Sequence, residues 1–200
     1  EGGAIETNGQ GVLLVTEQCL LSEVQERNPG LSRQGYEQAF WEYLGVDKVL
    51  WLAGSCEGDD THGHIDDVAR FVNQNTVVVS SCVEDDPDYG MFERNYDVLR
   101  SAVGSNNGGR LEVVKLPSPS PLYFRDKGEL LRLPARYANF YIASSVVLVP
   151  TFNDVRDREA LGLISEFLPE RKVVGIHAVD YVLGYGTLHC STQQEPLFQR

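Results

Sequence analysis

Apolar and polar residues follow one order that returns along the 200-residue chain. Residues 4–7 and 12–16 read as extended segments around the turn Asn8-Gly9-Gln10-Gly11. The spacing then predicts a helix that opens at Ser32 and keeps Tyr36, Phe40, Trp41 and Leu44 on or near one apolar side. Gly45 ends it, and residues 49–52 form a short buried strand. The order then repeats. Residues 64–72 and 76–82 predict strands around Asn73-Gln74-Asn75, followed by a helix over 89–103 closed by Gly104 and a strand at 111–116. A third copy has strands at 139–142 and 146–149, a helix at 154–167 and a strand at 173–176. A fourth begins near Thr187. The expected organisation is one α/β domain of strand–strand–helix–strand units at 1–52, 64–116 and 138–177, with a partial unit at 187–200.

One such unit cannot bury its own apolar faces, so the repeat implies a solenoid or a closed ring. Residues 117–137 interrupt it. Pro117, Pro119, Pro121 and Pro134 make this stretch read as a long excursion, of the kind that is functional or mobile. Each unit also opens on a polar residue: Glu1, His64, Asn139 and Cys190. If the units ring one axis, these four meet at its centre.

Composition narrows the classes. The apolar content of 42% is that of an ordinary globular domain, and no apolar run is long enough to span a bilayer. A net charge of −12 argues against a nucleic-acid partner and suits a cationic substrate. The cysteines at 19, 56, 82 and 190 form no C-x-x-C pair, which suits reduced thiols in a cytoplasmic protein. There is neither a G-x-G-x-x-G nor a P-loop to hold a nucleotide. The chain opens Glu-Gly-Gly, with no initiator Met, signal or transit segment, as a processed or partial chain would.

A cysteine, a histidine and a carboxylate are the parts of covalent thiol catalysis. Cys190 follows the loop Gly184-Tyr185-Gly186, which lets a nucleophile approach a ligand closely. His64 and Asp66 are two apart, so on an extended strand they share a face while Asp67 looks away. Gly63 allows a sharp entry into that strand. The plainer alternative is a turn histidine among solvated carboxylates and a buried, inert thiol, as Cys19, Cys56 and Cys82 are read. A zinc set from His62, His64, His189 and Cys190 is a further alternative, without H-E-x-x-H or a paired-cysteine knuckle to support it.

Taken in order, Glu1-Gly2-Gly3-Ala4-Ile5, Arg27-Asn28-Pro29-Gly30-Leu31-Ser32, Tyr43-Leu44-Gly45-Val46 and Trp51-Leu52 form the first half of a recognisable series. Gly63-His64-Ile65-Asp66-Asp67, Tyr137-Ala138-Asn139-Phe140-Tyr141-Ile142 and Leu188-His189-Cys190-Ser191-Thr192-Gln193-Gln194 complete it. The series resembles the agmatine/peptidylarginine deiminase family of the pentein guanidino-modifying enzymes, over nearly the whole chain. The resemblance implies a pentein α/β-propeller, five blades about a pseudo-fivefold axis, incomplete in this chain. It implies a hydrolase that uses no metal or cofactor. Cys190 would be the nucleophile, His64 the general acid and base, Asp66 the guanidinium ligand and Glu1 its acidic partner, with Asn139 and Gly186 also at the substrate. Agmatine would yield N-carbamoylputrescine and ammonia through a covalent thiouronium, on a route to putrescine. Free arginine or peptidyl arginine are the alternative substrates, and an inactive binding or structural remnant is the alternative of another class. The family's chains are longer, and the part absent here carries a further guanidinium-binding aspartate. This chain alone is therefore expected to be inactive, and assembly of the complete enzyme into a homo-oligomer stays open. Tyr185 stands where many relatives have glycine.

Overall fold

The computed structural model describes residues 1–103 and 109–195. Strand β1 (Glu6–Thr7) runs antiparallel to β2 (Val12–Thr16), with Glu6 opposite Leu14. The short helix α1 (Glu17–Leu20) follows, capped by the Thr16 hydroxyl, which accepts from the Cys19 amide at 3.0 Å. Helix α2 (Arg33–Leu44) opens on Ser32, whose hydroxyl accepts from the Gly35 amide, and closes on Gly45 at φ 64°. It returns the chain to β3 (Lys48–Leu52), parallel to β2.

Two more units repeat this plan. In the second, β4 (Ala69–Phe71), β5 (Thr76–Ser81), α3 (Tyr89–Ser101) and β6 (Glu112–Pro117) give an antiparallel pair and then a parallel one. The strands β7 (Tyr123–Asp126) and β8 (Glu129–Arg132) then form a hairpin of their own. The third unit has β9 (Tyr141–Ile142), β10 (Val146–Thr151), α4 (Asp157–Phe167) and β11 (Lys172–His177). Its strands pair in the same antiparallel-then-parallel order.

The core follows from the two-residue period of a strand. Leu13 and Val15 of β2 face Tyr36 of the unit's own helix, while Val12 and Leu14 face the second unit with Val77, Val79 and Leu99. Val78 points the other way, to a third cluster with Val147, Val149, Ala160 and Ile164. Helices and sheets thus alternate around the molecule, and the middle strands read as continuous apolar runs because both faces are covered. Arg70 of β4 ties all three units together. Its Nε donates to Glu6 at 2.9 Å and its Nη1 to the carbonyls of Ala138 and Phe140 at 3.1 and 2.7 Å.

The layers do not close into a ring. At one end α2 exposes Trp41, Tyr43 and Leu44; at the other, Val146 and Leu148 of β10 are only half-buried. This is the incomplete α/β-propeller that the sequence implied. No helix among the described residues is long and apolar enough to cross a membrane.

Three expectations need correction. Residues 64–68 are not a strand: Ile65–Asp67 forms a 3₁₀ turn, closed by the Val68 amide donating to the Ile65 carbonyl at 2.9 Å, and β4 starts only at Ala69. The alternation argument for His64, Asp66 and Asp67 therefore does not apply, and Asp66 and Asp67 are both buried. Residues 117–137, read as a long loop-like excursion, contain the β7–β8 hairpin, turned at Lys127 and Gly128, both at positive φ. Residues 187–195 hold no strand; they fold back as a turn in which the Thr192 amide donates to the His189 carbonyl at 3.0 Å. Helix α3 also ends earlier than predicted, at Ser101, and its expected stop at Gly104 lies outside the described residues, as do residues 196–200 of the partial unit.

Candidate active site

The loop before the 3₁₀ turn is organised by Asp59. Its carboxylate accepts from the Thr61 amide at 2.9 Å, from the Thr61 hydroxyl, from the Gly63 amide at 2.8 Å and from the His64 amide at 3.2 Å. Such an aspartate-closed loop satisfies its own backbone donors. It delivers His64 to Glu1, whose Oε2 lies 2.6 Å from His64 Nε2. The Glu1 carboxylate also accepts from Arg27 Nε at 3.2 Å. Burial raises the Glu1 pKa, but the bonds from His64 and Arg27 outweigh it and hold the carboxyl below its ordinary value.

Asp66 follows on the same turn and is almost wholly buried. Its Oδ2 lies 2.8 Å from His189 Nδ1 and 3.3 Å from the Cys190 sulfur. The amide nitrogen of Gln194 lies 2.8 Å from the other ring nitrogen of His189 and donates to it, so Nδ1 carries the proton that faces Asp66. Burial raises the Asp66 pKa, yet the His189 bond and the charges around it keep the carboxyl low. The other oxygen, Oδ1, is buried and has no hydrogen-bond partner among the described residues. Asp67 shows the opposite behaviour: burial first, and then the charge of Asp66, push it well above the usual carboxylate range.

Cys190 is held by Asn139. The Asn139 oxygen accepts from the Thr187 hydroxyl at 2.9 Å, the His189 amide at 3.0 Å and the Cys190 amide at 3.3 Å. Its amide nitrogen lies 3.0 Å from both the Cys190 sulfur and Asp67 Oδ1. Gly186 completes the seat: a Cβ there would stand 2.7 Å from Cys190 Cβ, closer than real contacts allow. Tyr185 just before it takes a left-handed backbone, φ 60°, a conformation that favours glycine. Cys190 stays exposed at the surface of the site. Burial of its side chain, and then the negative charges of Asp66 and Asp67, push its thiol pKa upward and favour the protonated sulfur.

A cavity of about 290 Å³ gathers these groups. Among its lining residues are His64, Asp66, Gly186 and Cys190, together with Gly3, His189 and, from the 59–64 loop, Asp60. Glu1 reaches His64 without lining the cavity, and Asn139 sits buried behind Cys190. A Cβ on Gly3 would meet His64 Nδ1 at 2.5 Å and Asp66 Oδ2 at 2.9 Å, so that glycine keeps the centre open. A larger cavity of about 410 Å³, beside Pro119 and Arg156, gathers no such thiol, imidazole and carboxylate set; size alone does not mark the site.

Of the residues weighed for zinc, His64, His189 and Cys190 share the cavity, but their ligand atoms do not converge as a metal set among the described residues. His62 pairs with the Ser22 hydroxyl at 3.1 Å and His189 with Asp66. Among the described residues, the trio with ligand atoms within 4.8 Å of one another is Glu1, Cys19 and His64, and there the Arg27 guanidinium already neutralises Glu1. Sequence reasoning gave no role to Asp59 or Arg27, and saw His189 only as a metal candidate. The Asx-turn spacing of Asp59 before Thr61 was the available signal for the first.

The arrangement brings a thiol, two imidazoles and a buried carboxylate to one cavity. Residues 1–196 match the family described as Porphyromonas-type peptidyl-arginine deiminase. An agmatine deiminase of Medicago truncatula is 41% identical over 98% of this chain and 56% of its own length. The agmatine deiminase of Enterococcus faecalis superposes with a TM-score of 0.89 at 37% identity, over 98% of this chain and 57% of that one. That of C. jejuni, solved as a Cys-to-Ser variant with substrate bound, gives a TM-score of 0.86 at 34% identity, over 96% and 55%. The chain belongs to the Porphyromonas-type peptidyl-arginine deiminase family. It spans about 57% of the length of the curated relatives it matches.

Proposed function

We propose that this chain carries the nucleophile, the acid–base pair and one guanidinium carboxylate of an agmatine deiminase. The observation that carries the reading is Asp66. It is a buried carboxylate in contact with the Cys190 sulfur, with one oxygen unpartnered among the described residues. A guanidinium is a planar cation with paired donors, and a carboxylate in that state is its natural complement. Bound there, the cation offsets the negative charges that keep Cys190 protonated, so the substrate itself favours the thiolate.

The reaction then balances as follows. The Cys190 proton passes to neutral His64, and the thiolate adds to the guanidinium carbon. The resulting imidazolium, held by Glu1, gives its proton to the departing nitrogen, and ammonia leaves. A positively charged S-alkylthiouronium remains on Cys190. Neutral His64 takes a proton from water as it attacks. Collapse expels the Cys190 thiolate, which recovers a proton from the His64 imidazolium, while the adduct's hydroxyl proton goes to the released ammonia, leaving a neutral ureido product, ammonium and the starting enzyme. With agmatine the products are N-carbamoylputrescine and ammonia, a step toward putrescine.

Asp60 at the cavity favours agmatine over free arginine, because a carboxylate there suits a distal ammonium and repels an α-carboxylate. Peptidyl arginine, the substrate in the family's name, remains the competing substrate. The test is ammonia release from a panel of guanidines by a polypeptide completed to the relatives' length. Agmatine turnover that vanishes in Cys190→Ser supports the proposal. Turnover that survives that change defeats it; loss with chelators alone points to the zinc alternative, and no turnover at all to an inactive remnant.

A further inference from the structure

Arg27-Asn28-Pro29 belongs to the motif series, yet no step of the reaction uses it. The structure gives Arg27 four contacts of one kind. Its Nη1 donates to the Gln25 carbonyl at 3.0 Å and its Nη2 to the Thr61 carbonyl. Nε and Nη2 donate to the two oxygens of Glu1 at 3.2 and 3.4 Å. One planar fork therefore joins the loop before α2, the 59–64 loop that carries His64, and Glu1. The Arg27 side chain is 15% exposed, whereas that of Glu1 is 47% exposed. A half-exposed glutamate has many rotamers to choose from, and a bidentate partner removes most of them.

We infer that Arg27 is a positioning residue for the deiminase chemistry: it fixes the Glu1 carboxylate against His64 Nε2 without touching substrate. The inference rests on the acid–base roles given above to Glu1 and His64. Electrostatics agrees with the geometry. The groups around the pair are the Cys19 thiol from α1, Asp59 and Asp60 from the 59–64 loop, and Asp66 from the 3₁₀ turn. Its neighbours are thus largely acidic or thiol groups, and Arg27 is the permanent cation bonded to Glu1. A cation at this point keeps Glu1 ionised, which a partner of an imidazolium must be.

The experiment needs no turnover, so it is separate from the fate of the substrate assignment. The chain is labelled at its glutamate side-chain carboxyls, and Glu1 is assigned by its loss in Glu1→Gln. The Glu1 titration midpoint and the through-space contact between the Glu1 side chain and the His64 ring are then read by NMR. In Arg27→Ala the midpoint moves upward and the contact is lost; Arg27→Lys recovers part of the midpoint shift, because charge returns without the fork. An unchanged midpoint, or a contact that persists in a folded Arg27→Ala protein, overturns the inference. Should Arg27→Ala fail to fold, Arg27→Gln, which keeps hydrogen bonding but not charge, carries the same reading. In a completed enzyme that turns over agmatine, kcat of the Arg27→Ala form falls roughly tenfold to a hundredfold with KM little changed. An unchanged kcat likewise overturns it.

Discussion

At the residue scale, the site is a set of opposed charges that disfavour the Cys190 thiolate. Asp66 is held ionised by His189, and burial first, then the Asp66 charge, push the Cys190 thiol pKa upward. Replacing Asp66 by Asn removes the second-largest cause of that elevation. Alkylation of Cys190 by iodoacetamide at neutral pH should accelerate in Asp66→Asn, as read by peptide mass spectrometry on this chain; equal or slower labelling contradicts the charge argument. Asp67 gives a stability prediction with a definite sign. Its folded pKa is raised above the unfolded value, so its contribution is intact below that value and is lost as pH rises toward the folded pKa. Asp67→Asn keeps the shape and still accepts from Asn139, but removes this loss. Its melting temperature should exceed that of the native chain at pH 7, and the gap should shrink at pH 4. Each kcal/mol recovered reads as about 2–4 °C. Cys190, His64, Asp66 and Glu1 were legible in the sequence because each sits in a short local motif. The positions of Arg27 and His189 were not, because their partners arrive from segments up to 123 residues away, whereas Asp59 was missed although its partners lie two to five residues on.

At the element scale, the three repeats were readable from apolar runs and caps, since Ser32 and Gly45 act on their own neighbours. The 3₁₀ turn at 65–67 was not, because Gly63, at φ 108°, and the loop around Asp59 override the strand-like pattern that follows. The β7–β8 hairpin was hidden by the prolines around it. It matters because it anchors a buried ion network. Arg132 at its end donates to both oxygens of Asp86 at 3.0 and 2.7 Å, and the following Arg136 donates to Asp88 at 2.5 Å. Arg132 and Asp86 side chains are 3% and 6% exposed, so removing one partner strands a charge. Arg132→Ala should cost about 3–5 kcal/mol, measured by denaturant unfolding. A loss below about 1 kcal/mol would mean the pair behaves like a surface bridge.

For the whole molecule, the two open ends dominate. Trp41 and Tyr43 are 58% and 83% exposed on α2, and the far sheet presents half-buried Val146 and Leu148. Completion of the ring would cover both. Adding the remaining segment of a relative, purified separately, should raise the melting temperature of this chain. At a hundredfold excess over Kd, the gain is about 2.7 kcal/mol. No shift at saturating segment would mean that these ends are not the surfaces the rest of the ring covers. The openness of the ring was anticipated from the family's length, but which residues it exposes required the layer order.

The most direct measurement is acid-quenched mass spectrometry of the completed enzyme during agmatine turnover. The mechanism predicts an adduct of agmatine less ammonia on the peptide bearing Cys190, absent in Cys190→Ser and strongly reduced in His64→Asn, because His64 serves the step that forms it. Ammonia release with an unmodified Cys190, or with the adduct on Cys19, Cys56 or Cys82, would contradict it.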